Sequence, residues 1–165
     1  MGEVMKVLLV EDAALLRYAF GRLLRMNGFI VRETTNGREA MDCLLEFRPH
    51  VVLTDLMMPI MDGVELIRRI RSDPTASKTP VVAITADATE RATRLAREAG
   101  ATDVIVKPID LPELLERLGR IDIVAETNGI APCPNSLSTG EECQKDVLED
   151  HEDHQAEDEQ DSEIQ

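Results

Sequence analysis

One stretch limits what this chain can fold into more than any other: His50-Val51-Val52-Leu53-Thr54-Asp55-Leu56-Met57-Met58-Pro59-Ile60-Met61-Asp62-Gly63. A short apolar run with β-branched residues reads as a buried strand. It stops at a carboxylate, Asp55. Pro59 cannot continue a sheet ladder, and Asp62-Gly63 opens a helix. An acid at the end of a buried strand is costly unless it has a partner or a task. In open α/β sheets the carboxyl ends of the strands are where ligands bind. The rest of the chain therefore matters for what it brings to that edge.

The same reasoning predicts four more strands. Residues 5–10 form the first, ending in Glu11-Asp12. A helix at 13–27 follows, with Leu15, Leu16, Ala19, Phe20, Leu23 and Leu24 at helical period and Asn27-Gly28 closing it. The second strand covers 29–33. Asn36 with Glu39 three residues on is a capping-box signature, opening a helix to about Phe47. Asp62 with Glu65 repeats the box, with helix to about Ser72. The fourth strand, 80–85, ends in Thr85. Asp87 with Glu90 caps a helix closed by Gly100. A fifth strand, 103–106, ends in Lys107-Pro108, and Asp110 with Glu113 caps the last helix. Strands alternating with single helices imply right-handed βαβ units. The fold class is α/β: a doubly wound five-stranded parallel sheet in a three-layer α/β/α sandwich. Such strands are covered on both faces and apolar on both sides.

Charge divides the chain. Residues 1–125 hold 19 acids and 17 bases, whereas 126–165 hold 13 acids and one base, Lys145. A domain at 1–124 is thus expected, followed at 125–165 by a Pro/Ser/Gly linker and an acidic tail whose composition predicts disorder. The tail's charge suits screening of Arg91, Arg94 and Arg97 or contact with a basic partner. Overall acidity argues against nucleic-acid binding, which wants a basic footprint. No apolar run reaches the roughly 20 residues of a membrane span, so no membrane partner is expected. The N-terminus lacks the basic and long apolar regions of a secretory leader. Cys43, Cys133 and Cys143 are an odd number without metal spacing, which fits free thiols in a reducing cytoplasm. His151 and His154 match no structural zinc pattern.

In a parallel sheet all strand ends point the same way. Glu11, Asp12, Asp55, Thr85 and Lys107 therefore converge on one edge. Each alone has an ordinary reading: a solvated helix start, a turn cap, a hydroxyl on backbone, a surface lysine. Their coincidence at four of five strand ends is what carries chemistry. Three crowded carboxylates repel, and a hard divalent cation such as Mg²⁺ resolves the repulsion. Thr85 as donor and Lys107 as point charge suit phosphoryl oxygens. Asp55 is left as the nucleophile of an aspartyl-phosphate.

The chain resembles the response-regulator receiver domain of two-component signalling. The matching residues are Leu8-Leu9-Val10-Glu11-Asp12, the run from Asp55 to Gly63, Thr85-Ala86 and Lys107-Pro108, and the resemblance covers residues 5 to about 120. It implies a flavodoxin-like sheet of order 2-1-3-4-5 and phosphate transfer to Asp55 from a phosphohistidine on a kinase or phosphotransfer protein. It also implies Mg²⁺ on Asp12, Asp55 and the Met57 carbonyl, with Glu11 acting through water. Lys107 pairs with the phosphoryl group, Thr85 moves to hydrogen-bond it, and a cis peptide precedes Pro108. Val104 departs from the family, which usually has an aromatic residue there that turns inward when the hydroxyl moves.

The function expected is a stand-alone phosphoacceptor switch, a monomer or weak dimer that signals in trans to a protein effector and is not an enzyme in its own right. The alternative is a pseudo-receiver, a constitutive interaction module, with Val104 its only support. A phosphohydrolase lacks a second acid two residues after Asp55, where Met57 stands.

Overall fold

A computed structural model describes residues 4–127, and the acidic tail expected beyond lies outside the described residues. Five strands alternate with five helices: β1 (Lys6–Val10), α1 (Ala14–Met26), β2 (Ile30–Thr34), α2 (Gly37–Phe47), β3 (Val51–Asp55), α3 (Gly63–Ser72), β4 (Val81–Thr85), α4 (Glu90–Ala99), β5 (Asp103–Val106) and α5 (Leu111–Thr127). All pairs are parallel, in the order β2-β1-β3-β4-β5. The expected fold class and order are what the chain adopts. The last helix runs three residues past the boundary read from the sequence.

Side chains alternate across each strand, so every central strand feeds two cores. Leu8 and Val10 of β1 pack with Val52, Ala83, Leu66 and Ile67 on the α2–α3–α4 side. Val7 and Leu9 pack with Leu53, Ile84, Leu24 and Leu118 on the α1–α5 side. The edge strand β2 departs from the expected pattern: Ile30 and Arg32 are exposed, and Glu33 is held by arginines. An edge strand has one neighbour, so its outer face can stay polar.

The helix starts are partly as expected. Asn36 accepts from the N–H groups of Arg38 and Glu39, while Glu39 reaches back one residue further than a capping box requires, to the Thr35 N–H at 2.8 Å. Asp62 caps α3 through the Glu65 N–H, but Glu65 turns forward to Arg69 instead of closing the box. At α4 the cap is Thr89, and Asp87 bonds the Thr89 N–H instead. Of the apolar positions of α1, Leu24 is buried, whereas Leu15 is 80 % exposed.

Arg71 ties α3 to the α3–β4 and α4–β5 loops. Its guanidinium, half-buried at the end of α3, donates to the carbonyls of Gly100 (2.8 Å), Ser77 (3.0 Å) and Thr79 (2.7 Å) and to the Thr102 hydroxyl (3.3 Å). Burial holds its pKa below the ordinary arginine value. It satisfies carbonyls that no ladder reaches. Arg71→Ala strands those acceptors and lowers unfolding free energy by about 2–3 kcal/mol, read by urea denaturation. Arg71→Lys recovers only a minor part, since an ammonium lacks the planar fork.

Between β3 and α3 the chain makes a three-residue turn at Ile60. The Met61 N–H donates to the Pro59 carbonyl at 2.8 Å, and Ile60 sits at φ 72°. A β-branched residue at positive φ is strained. The Ile60 side chain is 81 % exposed, so it recovers little by burial. Ile60→Gly is therefore expected to stabilise the fold by about 1 kcal/mol, seen as a raised thermal midpoint.

Candidate functional site

The site is built on the end of β3. Asp55 is buried between β1 and β4, and its chain direction is fixed within two residues. The Leu56 N–H donates to the Ile84 carbonyl at 2.9 Å, and the Met57 N–H donates to Asp55 Oδ1 at 2.8 Å. The loop then closes on itself: the Gly63 N–H donates to the Leu56 carbonyl at 3.1 Å and the Gly37 N–H to the Met61 carbonyl at 3.2 Å. Both glycines are required by close approach. A Cβ at Gly63 would overlap the Asp55 carbonyl, and one at Gly37 would lie 2.9 Å from the Met61 carbonyl. In the sequence Gly63 reads, with Asp62, as a helix opener and as the end of the run shared with the receiver family, and Gly37 lies inside the capping signature of Asn36 and Glu39. Their packing role depends on contacts between segments distant in the chain.

The charged groups meet at the neighbouring strand ends. Lys107 Nζ bonds Asp55 Oδ2 and reaches Glu11 Oε2 at 3.1 Å. Glu11 is buried, and its other oxygen accepts from the Ala13 N–H at 3.3 Å. Burial raises the Glu11 carboxyl above its ordinary pKa, with the Asp55 charge adding, against the pull of Lys107. Burial works against the Lys107 ammonium, but its bonds to Asp55 and Glu11 outweigh this and hold its pKa above the usual lysine value. The ammonium thus stays charged between two carboxylates. The peptide Lys107–Pro108 is cis.

The other expected members are placed differently. Asp12 is exposed, and its carboxylate has no hydrogen-bond or ion-pair partner among the described residues. Thr85 is buried beside the site, but its hydroxyl faces its own loop, accepting from the Asp87 N–H at 3.0 Å. Met57 extends outward and Val104 is buried in the core against α4. The structure therefore brings Glu11, Asp55 and Lys107 together, with Thr85 adjacent. Arg17 belongs to the site's surroundings too and had no signal of its own in the sequence.

Among the described residues no three His, Cys, Asp or Glu side chains are gathered closely enough to hold a metal by themselves. Mg²⁺ does not need three. It takes one or two carboxylates, a carbonyl and waters, all oxygen. Asp55, the unpartnered Asp12 and the Met57 carbonyl are such a set, so the residues present fit this ion.

Comparison with known proteins agrees with the geometry. The family model for the response regulator receiver domain matches residues 7–119. Response regulator MprA of Mycolicibacterium vanbaalenii is 39 % identical over 115 residues, covering 68 % of this chain and 48 % of that protein. The chain thus spans about half the length of the curated relatives it matches, and the expected lack of a nucleic-acid partner finds no support in them. Chemotaxis response regulator CheY4 of Vibrio cholerae superposes with a TM-score of 0.68 at 29 % identity, over 72 % of this chain and 99 % of that one. The receiver domain of sensor histidine kinase PA1611 from Pseudomonas aeruginosa, which has a magnesium ion coordinated in its active site cleft, superposes with a TM-score of 0.68 at 29 % identity, over 73 % and 99 %. No helix among the described residues is long and apolar enough to cross a membrane. With a sheet order, a strand-end constellation and a family match that coincide, the chain belongs to the response regulator receiver domains of two-component signalling.

Proposed function

We propose that this chain is a phosphoacceptor switch that takes a phosphoryl group on Asp55 and signals to a partner protein. The observation that carries the reading is the Lys107 ammonium held between buried Glu11 and Asp55 at the carboxyl edge of the sheet. An Asp55 carboxylate oxygen attacks the phosphorus of a phosphohistidine on a kinase or phosphotransfer protein. The new P–O bond forms as the donor's P–N bond breaks, and the imidazole leaves. Most of the catalysis in such transfer is positioning and charge neutralisation. Asp12, Asp55, the Met57 carbonyl and, through water, Glu11 would hold Mg²⁺, which when bound neutralises phosphoryl oxygens. Lys107 then exchanges Asp55 for a phosphoryl oxygen without leaving its place. Exposed Leu15, Met57 and Ile60 at this edge suit an apolar contact with the donor protein. The chain is a signalling domain that turns over only its own phosphoryl group, and a cytoplasmic site of action fits the phosphodonors named.

The switch runs through Thr85. To reach a phosphoryl oxygen its hydroxyl must release the Asp87 N–H. Asp87 in turn holds the Thr89 N–H at 2.9 Å, and the Thr89 hydroxyl caps α4 at the Ala92 N–H. With Val104 in place of an aromatic residue, this run of bonds to the start of α4 is the route by which the charge on Asp55 is read.

Two outcomes test the reading. Incubated with Mg²⁺ and a small acyl-phosphate donor, the intact chain gains one phosphoryl group by mass, and Asp55→Asn gains none. No adduct at any Mg²⁺ concentration would leave the constitutive interaction module. In Thr85→Ala the adduct still forms, but the amide NMR shifts of Asp87 and Thr89 no longer respond to it.

A further inference from the structure

We infer that Arg17 is a positioning residue for the acid pair, setting the backbone that aims Asp12; this rests on the Mg²⁺ reading of the site given above. Arg17 lies in the first turns of α1 and is mostly covered, its side chain 19 % exposed. Its Nη1 donates to the Glu11 carbonyl at 2.8 Å and to the Asp12 carbonyl at 3.1 Å. One guanidinium nitrogen therefore fixes two successive peptide groups of the loop that carries both acids. It touches their backbone and leaves their carboxylates to other partners.

The guanidinium is itself held from behind. Its Nε lies 3.9 Å from Glu33 Oε2 on β2, and Arg25 Nη1 holds the other oxygen of Glu33 at 2.7 Å. Arg17, Gly21 and Arg25 are four residues apart and share one stripe of the helix. Gly21 leaves the space that Glu33 fills, since a Cβ there would overlap the Glu33 carboxylate. Two arginines and a glycine thus bracket one acid, and the acid anchors the arginine that reaches the site loop.

The loop depends on this arrangement because other constraints are few. Ala13 at the start of α1 offers no side-chain cap, and α1 has no acid in its first turn. Glu11 is additionally tied by its N–H to the Thr34 carbonyl at 3.1 Å and by its carboxylate to Lys107. Asp12 has no such side-chain tie among the described residues, so its direction comes from the backbone that Arg17 clamps. Residues that orient metal ligands typically govern affinity by about 10–100-fold.

The test uses the full-length chain and Mg²⁺ alone, with affinity from isothermal titration and stability from the thermal midpoint of the metal-free protein. Arg17→Gln is expected to weaken Mg²⁺ binding by about tenfold or more. Arg17→Lys, which keeps the charge and a single donor group, recovers part of the loss. A lowered midpoint with unchanged Mg²⁺ affinity would make Arg17 a residue of the fold only and overturn the inference. Should Arg17→Gln not fold, Glu33→Gln takes its place, with the same direction expected and unchanged affinity overturning the inference. If the wild-type chain binds no Mg²⁺, the metal reading itself fails and takes this role with it, an outcome distinct from equal binding by wild type and variant.

Discussion

Two carboxylates and one ammonium share the covered end of this sheet, and the rest of the domain is arranged around their balance. Glu11 and Asp55 come from adjacent strands, where their charges would repel in a medium that screens poorly. Lys107, from the far strand, makes the pair tolerable. Removing it would leave two buried acids with no counter-charge, which a fold meets by neutralising one of them. The same deficit of positive charge makes the edge receptive to a cation. In the proposed reaction the Lys107 ammonium, already between two acids, passes to a phosphoryl oxygen without travelling.

Much of this was legible in the chain. A run of β-branched residues ending in Asp55, and comparable runs ending in Glu11, Thr85 and Lys107, placed the chemistry on one edge because parallel strands share a direction. Capping residues marked helix starts, though less well. Asp62 caps as expected, but Asp87 gives its place to Thr89, since an acid two residues before a hydroxyl can bond the hydroxyl residue's own N–H. Such alternatives lie within a residue or two of one another and differ by local geometry alone.

What stayed hidden depends on contacts between distant segments. The periodicity of α1 marked Leu15 and Leu24 alike as apolar, yet of the two only Leu24 packs into the core, with Leu9, Leu53 and Leu118, while Leu15 is exposed. Gly63 and Gly37 look like ordinary helix openers, and only the approach of α3 to β3 and of α2 to the β3–α3 loop shows why no Cβ fits. Arg17 looks like any surface arginine of an amphipathic helix. Its worth comes from two carbonyls five and six residues behind it and from a glutamate on another strand. Of the three acids that parallel strands bring to one edge, Glu11 and Asp55 share the Lys107 ammonium while Asp12 is exposed, since strand spacing fixes where a strand ends but not where the next side chain turns.

The loop between β3 and α3 is held by hydrogen bonds from its own main chain and from Gly37. The side chains of Met57 and Ile60 contribute nothing to those bonds and extend outward. Length and content are thereby separated. An insertion or deletion between Leu56 and Gly63 would break those bonds, while substitution of the two outward side chains leaves the bonds in place and alters the surface a visitor meets. The face this loop presents can therefore vary from one chain to another while Asp55 keeps its place.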